Sequence, residues 1–142
     1  MNINLDEKLG MKYFSRNSEN RRSALYFKAQ EIMRISRRIS EYLVPDLAVL
    51  NDRGTEDTNV YFTGDIIRHS HSLVTNIDKA ENEYFQDNRM KYVSSVGQLT
   101  ERLQHACEQL EYVNSNGREF LQILRRELQK FRKLQRIWKL SL

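Results

Sequence analysis

The chain of 142 residues is the size of one domain, large enough to bury a core without disulfides or a structural metal. One proline and five glycines leave few residues to punctuate a sandwich or barrel of many short strands, and one cysteine cannot form an internal disulfide. The net charge is +4 and the mean hydropathy −0.71, and no apolar run approaches the roughly 18 residues of a transmembrane helix.

Met1 to Ser15 contains no uninterrupted apolar stretch that would serve as a signal-peptide core, so a cytoplasmic protein is expected. Residues 1–18 read as a loose arm and residues 19–142 as a bundle of helices. The first helix is expected over about 20–43, where Leu25, Ala29, Ile32, Ser36, Ile39 and Leu43 fall in one stripe and Arg34, Arg37 and Arg38 lie opposite. Pro45 disfavours helix at the residue before it, and the following segment to Thr58, with Asn51-Asp52-Arg53-Gly54, reads as a connection.

A second helix is expected over about 60–85, with Ile66, Ser70, Leu73, Ile77, Ala80 and Tyr84 recurring at spacings of four and three. Gln86-Asp87-Asn88 reads as a turn. The third helix, about 88–113, carries Tyr92, Val96, Leu99, Leu103, Ala106, Leu110 and Val113 at the same period, and Asn114 to Gly117 closes it. The fourth, about 118–140, buries Phe120, Ile123, Leu124, Leu128, Phe131, Leu134 and Trp138 in one arc. Arg118, Arg125, Arg132, Arg136 and Lys139 are expected on the side opposite that arc, with Arg126, Lys130 and Lys133 extending the same face. Four such helices joined by two short links and one longer one are most simply satisfied by an antiparallel up-down-up-down four-helix bundle.

Charge is distributed unevenly along this pattern. Residues 12–38 carry a net +6, residues 39–117 a net −7 and residues 118–142 a net +6. Two basic segments flanking an acidic middle point to a polyanionic partner, or to a neighbouring subunit whose acidic helices match them.

Catalytic and metal-binding patterns do not emerge. The residues three before His69, His71 and His105 are Ile66, Arg68 and Arg102, so none completes the Glu-x-x-His pair of a di-metal bundle. His69 and His71 point about 200° apart on a helix and cannot grip one ion together. No Arg precedes a His at the spacing of a HEPN-type nuclease, and phosphate loops, Cys-x-x-Cys pairs and nucleophile elbows do not occur. Cys107 sits beside the Leu103 to Leu110 stripe and reads as a buried structural thiol. The expectation is a protein without catalysis, metal or cofactor.

The segment Ile66 to Ala80 (IIRHSHSLVTNIDKA) resembles the small four-helix-bundle proteins encoded by intervening sequences in 23S rRNA genes, where an Ile-x-Arg start precedes Ser-Ile-x-x-Asn-Ile-x-Glu-Gly. Ser72, Leu73, Asn76 and Ile77 stand at the matching places, whereas Lys79-Ala80 replaces Glu-Gly. Leu110-Glu111-Tyr112-Val113 is similar to that family's Leu-Gly-Tyr-Leu, and Gly97 corresponds to a mid-helix glycine there. The profile is equally similar to the Avd proteins, accessory factors of the reverse transcriptase in diversity-generating retroelements, which are basic and end in a long cationic helix with a Trp near its end, like Arg125 to Lys139 with Trp138. The resemblance implies a ring-shaped homopentamer without catalysis that binds nucleic acid and a reverse transcriptase.

Two readings follow. In the first, Arg34, Arg37, Arg38, Arg118, Arg125, Arg126, Lys130, Arg132, Lys133, Arg136 and Lys139 bind RNA or single-stranded DNA through phosphate. Arg118, Arg125, Arg132 and Lys139, spaced by sevens, form its straight ladder, and Glu119 and Glu127, the only acids of that helix, project away from it. In the second, the bundle is structural, and its basic faces meet the acidic middle of another copy. Under either reading Asn76 is expected to be a polar residue bonding between helices, and Ser70 and Ser72 small packing residues.

Overall fold

A computed structural model describes residues 22–47, 59–111 and 117–142. The expected N-terminal arm, the turn at Asn51 to Gly54, and Tyr112 and Val113 lie outside the described residues. The described residues form four helices and no strand: α1 Ala24–Leu47, α2 Asn59–Asn82, α3 Gln86–Leu110 and α4 Arg118–Ser141. Helix α1 packs on α2 and α4, and α3 packs on α2 and α4, which makes a four-helix bundle with one core between them. None of these helices is long and apolar enough to cross a membrane.

The core follows the helical period. Leu25, Ala29, Ile32, Ser36, Ile39 and Leu43 of α1 are all buried, as are Ile66, Ser70, Leu73, Ile77 and Ala80 of α2. From α3 come Val93, Val96, Leu99, Leu103, Ala106, Cys107 and Leu110, and from α4 Leu121, Leu124, Leu128, Phe131 and Trp138. Each large apolar side chain so removed from water contributes about 1.5–3 kcal/mol before entropy is counted. The buried hydroxyls cost little, because each bonds to its own helix: Ser36 to the Ile32 carbonyl (2.7 Å), Thr63 to Asn59 (3.0 Å), Ser70 to Ile67 (2.9 Å) and Thr100 to Val96 (2.7 Å).

Four expectations are corrected. Helix α1 runs two residues past Pro45, because proline's own φ is helical and in a last turn its missing N–H costs a single bond. Helix α2 stops at Asn82, so Tyr84, expected in the core, stands 87% exposed in the link. Gln86-Asp87-Asn88 is the first turn of α3, where Asp87 suits the positive end of the helix dipole. The turn is instead Glu83 to Phe85, held by Arg89, whose Nε and Nη2 both donate to the Glu83 carbonyl (3.1 and 2.7 Å). Finally, Asn76 donates to the Ser72 carbonyl of its own helix (2.7 Å), where a bond between helices was expected.

Polar contacts lock the helices at one end and apolar packing locks them at the other. Trp138 Nε1 donates to Glu81 Oε1 (3.1 Å), Ser23 Oγ donates to the same carboxylate, and Arg22 pairs with Asp78. Midway, Lys28 Nζ reaches Glu127 (2.7 Å), and this hydrogen bond holds the Glu127 carboxyl below its ordinary range and the Lys28 ammonium above its own. At the other end Tyr42 stacks on Phe120 (5.1 Å between centroids), and Gly117 meets α1 so closely that a Cβ there would stand 2.9 Å from Leu43 Cγ and 3.3 Å from Tyr42 Cβ. Leu43 is fully buried and has nowhere to retreat. Gly117→Ala is therefore expected to lower stability by about 1–2 kcal/mol through overpacking, read as a lower midpoint in urea unfolding. A midpoint equal to that of the unaltered protein would contradict this close approach.

Candidate nucleic-acid interface

Among the described helices α4 has the strongest segregation of apolar and basic side chains, and its position decides what each cation can do. Opposite Leu124, Leu128 and Phe131 runs an outward stripe at spacings of four and three: Arg126, Lys130, Lys133, Ile137 and Leu140, all exposed. Among the described residues, no ion pair reaches Arg126 or Lys133, whereas Lys130 Nζ lies 3.2 Å from Glu127. Arg34, on the neighbouring α1, is likewise exposed and without an ion pair among the described residues. Arg38 lies 3.5 Å from Glu41 on its own helix, and Arg37 leans towards α2, 3.4 Å from His71 Nε2.

The ladder spaced by sevens, expected opposite the apolar arc, instead occupies a flank turned towards α3, because at about 100° per residue its members fall about a quarter turn from Leu124, Leu128 and Phe131. Arg125 pairs with Glu111, which caps the end of α3, and Arg125 and Arg132 border a cleft of about 150 Å³ with Glu108. Arg132, Arg136 and Lys139 line a second one, about 270 Å³, with Glu101. These clefts open because α3 and α4 are the least closely packed neighbours in the bundle; Gly97 lines the second, with Gln135 Nε2 3.4 Å from where its Cβ would be. The ladder thus faces acids that belong to α3, not to its own helix, and only Arg118, at the start of α4, is exposed away from these clefts. The candidate residues therefore fall into two groups: an outward one facing solvent and a flank one facing carboxylates.

The arc of α4 also sits slightly differently from expectation. Leu121 is buried, while Ile123 is 41% exposed and Phe120 and Leu134 are half-buried. Glu127 does project away from the ladder, towards Lys28.

Two histidines come together in a way the reading of each alone did not foresee. His69 and His105 line a groove of about 550 Å³ between α2 and α3, each one helical turn after an acid, Asp65 and Glu101, with Arg102 beside them. The signal was present as an i, i+4 acid–His pair on each helix. Among the described residues no three His, Cys, Asp or Glu side chains gather to hold a metal ion. Burial, reinforced by Arg102 and Arg68, pushes the His69 pKa below its usual value, so this imidazole is neutral at pH 7 and adds no charge for phosphate. Cys107 is buried, donates to the Leu121 carbonyl (3.5 Å), and burial raises its thiol to about 11, the environment of an inert packing residue.

No family model, curated protein or solved structure matches the chain.

Proposed function

We propose that this chain is a non-catalytic basic accessory protein that binds nucleic acid, RNA or cDNA, through the outward face of α4 and the adjoining Arg34 of α1. The observation that carries this reading is the stripe Arg126, Lys130, Lys133. Its cations are exposed on one straight helix, opposite the core, and two of the three have no ion-pair partner among the described residues. Unmatched cations on a rigid rod suit a phosphate backbone, because their charge releases condensed counterions without reading sequence. The resemblance to the Avd proteins adds docking on a reverse transcriptase and a ring-like homo-oligomer of five copies; action in the cytoplasm belongs to the same proposal. Within each copy the proposed topology is antiparallel, up-down-up-down. It is supported by the meeting of Glu81 near the end of α2 with Trp138 near the end of α4 and Ser23 just before α1.

The test is a titration of the protein with a structured RNA and a single-stranded DNA by fluorescence anisotropy between 50 and 200 mM salt. Binding should depend weakly on sequence and fall steeply with salt, each phosphate contact adding about 0.7–0.9 to the log–log slope. Affinity that is absent at low salt, or indifferent to salt, would end this reading. The second reading, a structural and protein-interaction bundle, is favoured by one observation of its own, the Arg125–Glu111 pair and the acids beside Arg132, and would then stand alone.

A further inference from the structure

The most exposed apolar side chains, Tyr61 apart, lie where α2 turns into α3 and where α4 ends. The turn Glu83 to Phe85 thrusts two aromatic rings outwards, Tyr84 at 87% and Phe85 at 65% exposure, packed edge to face at 5.5 Å. It is stiff: Arg89 grips the Glu83 carbonyl twice, the Glu83 carboxylate accepts the Phe85 N–H (3.2 Å), and Arg89 N–H donates to the Phe85 carbonyl (2.9 Å). The exposed charge nearest to it is Asp87, in the first turn of α3, with Lys91 exposed one turn further on. At the same level of the bundle, fixed there by the Trp138–Glu81 bond, the last turns of α4 expose Ile137 (68%) and Leu140 (88%). These two are three residues apart and share a face, with Lys133 four before Ile137 and Arg136 four before Leu140. One patch is an aromatic knob edged by acid and the other an aliphatic seat edged by base.

We propose that the two patches meet between copies of this chain, the Tyr84–Phe85 knob of one seated on Ile137 and Leu140 of the next, with Asp87 towards Lys133 and Arg136. The proposal rests on the reading of the bundle as self-assembling and names its contact. A second copy is the occupant because the patches complement each other in both charge and polarity, and because each molecule offers one of each. Knob and seat engaging two different neighbours make a heterologous contact, which gives a ring when the rotation between successive copies closes and a filament when it does not; the ring is the form that the self-assembly reading supplies. A knob held rigid before association loses little entropy on docking, which favours it as an anchor.

The test uses two full-length variants, Tyr84→Ser/Phe85→Ser and Ile137→Ser/Leu140→Ser, followed by light scattering and sedimentation. All four side chains are exposed, so circular dichroism should match the parent. Each variant alone should lose closed assembly, its association weakened by about 100-fold or more. Mixed in equal amounts, the two should form a two-chain species, because one intact knob still finds one intact seat. Assembly of the parent that survives in either variant overturns this contact while leaving the self-assembly reading in place. Loss of assembly without recovery on mixing overturns the head-to-tail geometry. A parent that stays monomeric at high concentration overturns both.

Discussion

Replacing Arg126, Lys130 and Lys133 together by Gln is expected to weaken nucleic-acid binding by about 50–150-fold at 0.15 M salt and to flatten the log–log salt slope by about two to three. These side chains are exposed and opposite the core, so helicity should not change, and assembly should lose only the approach of Asp87 to Lys133, with Arg136 and the apolar seat of Ile137 and Leu140 retained. The triple change Arg125→Gln, Arg132→Gln, Arg136→Gln on the flank ladder is the control. Arg125 already has Glu111, and acids of α3 border the other two, so much of their charge is offset within the chain and the loss should be less than half as large on a logarithmic scale. Equal losses from both triples would mean that the acids of α3 do not compete with phosphate. No loss from the outward triple, with the fold intact, would transfer the function to the structural reading.

The division between those two groups shows where sequence stops being informative. The stripe of α1 from Leu25 to Leu43 was legible because burial on one face imposes a period that a single chain segment displays by itself. The same logic made the charge of α4 legible, including Glu127 turning away from the ladder. It failed at edges: Tyr84 continues the spacing of α2, but the backbone has already left the helix at Asn82, and Leu121 rather than Ile123 enters the core because the arc is set by where α3 lies. The partner of Arg125 was hidden for a related reason. A carboxylate on α3 comes opposite a cation on α4 only once the register between the two helices is fixed, and that register is a property of packing, not of spacing along either segment. Gly117 likewise reads as a turn residue, whereas its φ of −75° asks nothing of glycine and the close approach of Leu43 asks for the missing Cβ.

Converting Glu101, Glu108 and Glu111 together to Gln is expected to tighten binding to the same RNA by about 10–100-fold and to steepen the slope by about one to two, as Arg125, Arg132 and Arg136 become available to phosphate. The reasoning is competition. An exposed ion pair such as Arg125–Glu111 contributes about 0–1 kcal/mol to folding, so breaking it leaves the bundle intact, yet the acids it brings to the flank repel an approaching polyanion over about 8 Å at physiological ionic strength. Removing them turns the flank into a second cationic track beside the outward stripe. The gain should shrink in high salt, where both the repulsion and the new attraction are screened, and it should disappear when the ladder residues are changed to Gln in the same chain. A gain that persists without the ladder would trace to the net charge of the molecule, and an affinity unchanged by the three Glu substitutions would show that nucleic acid never comes near this flank.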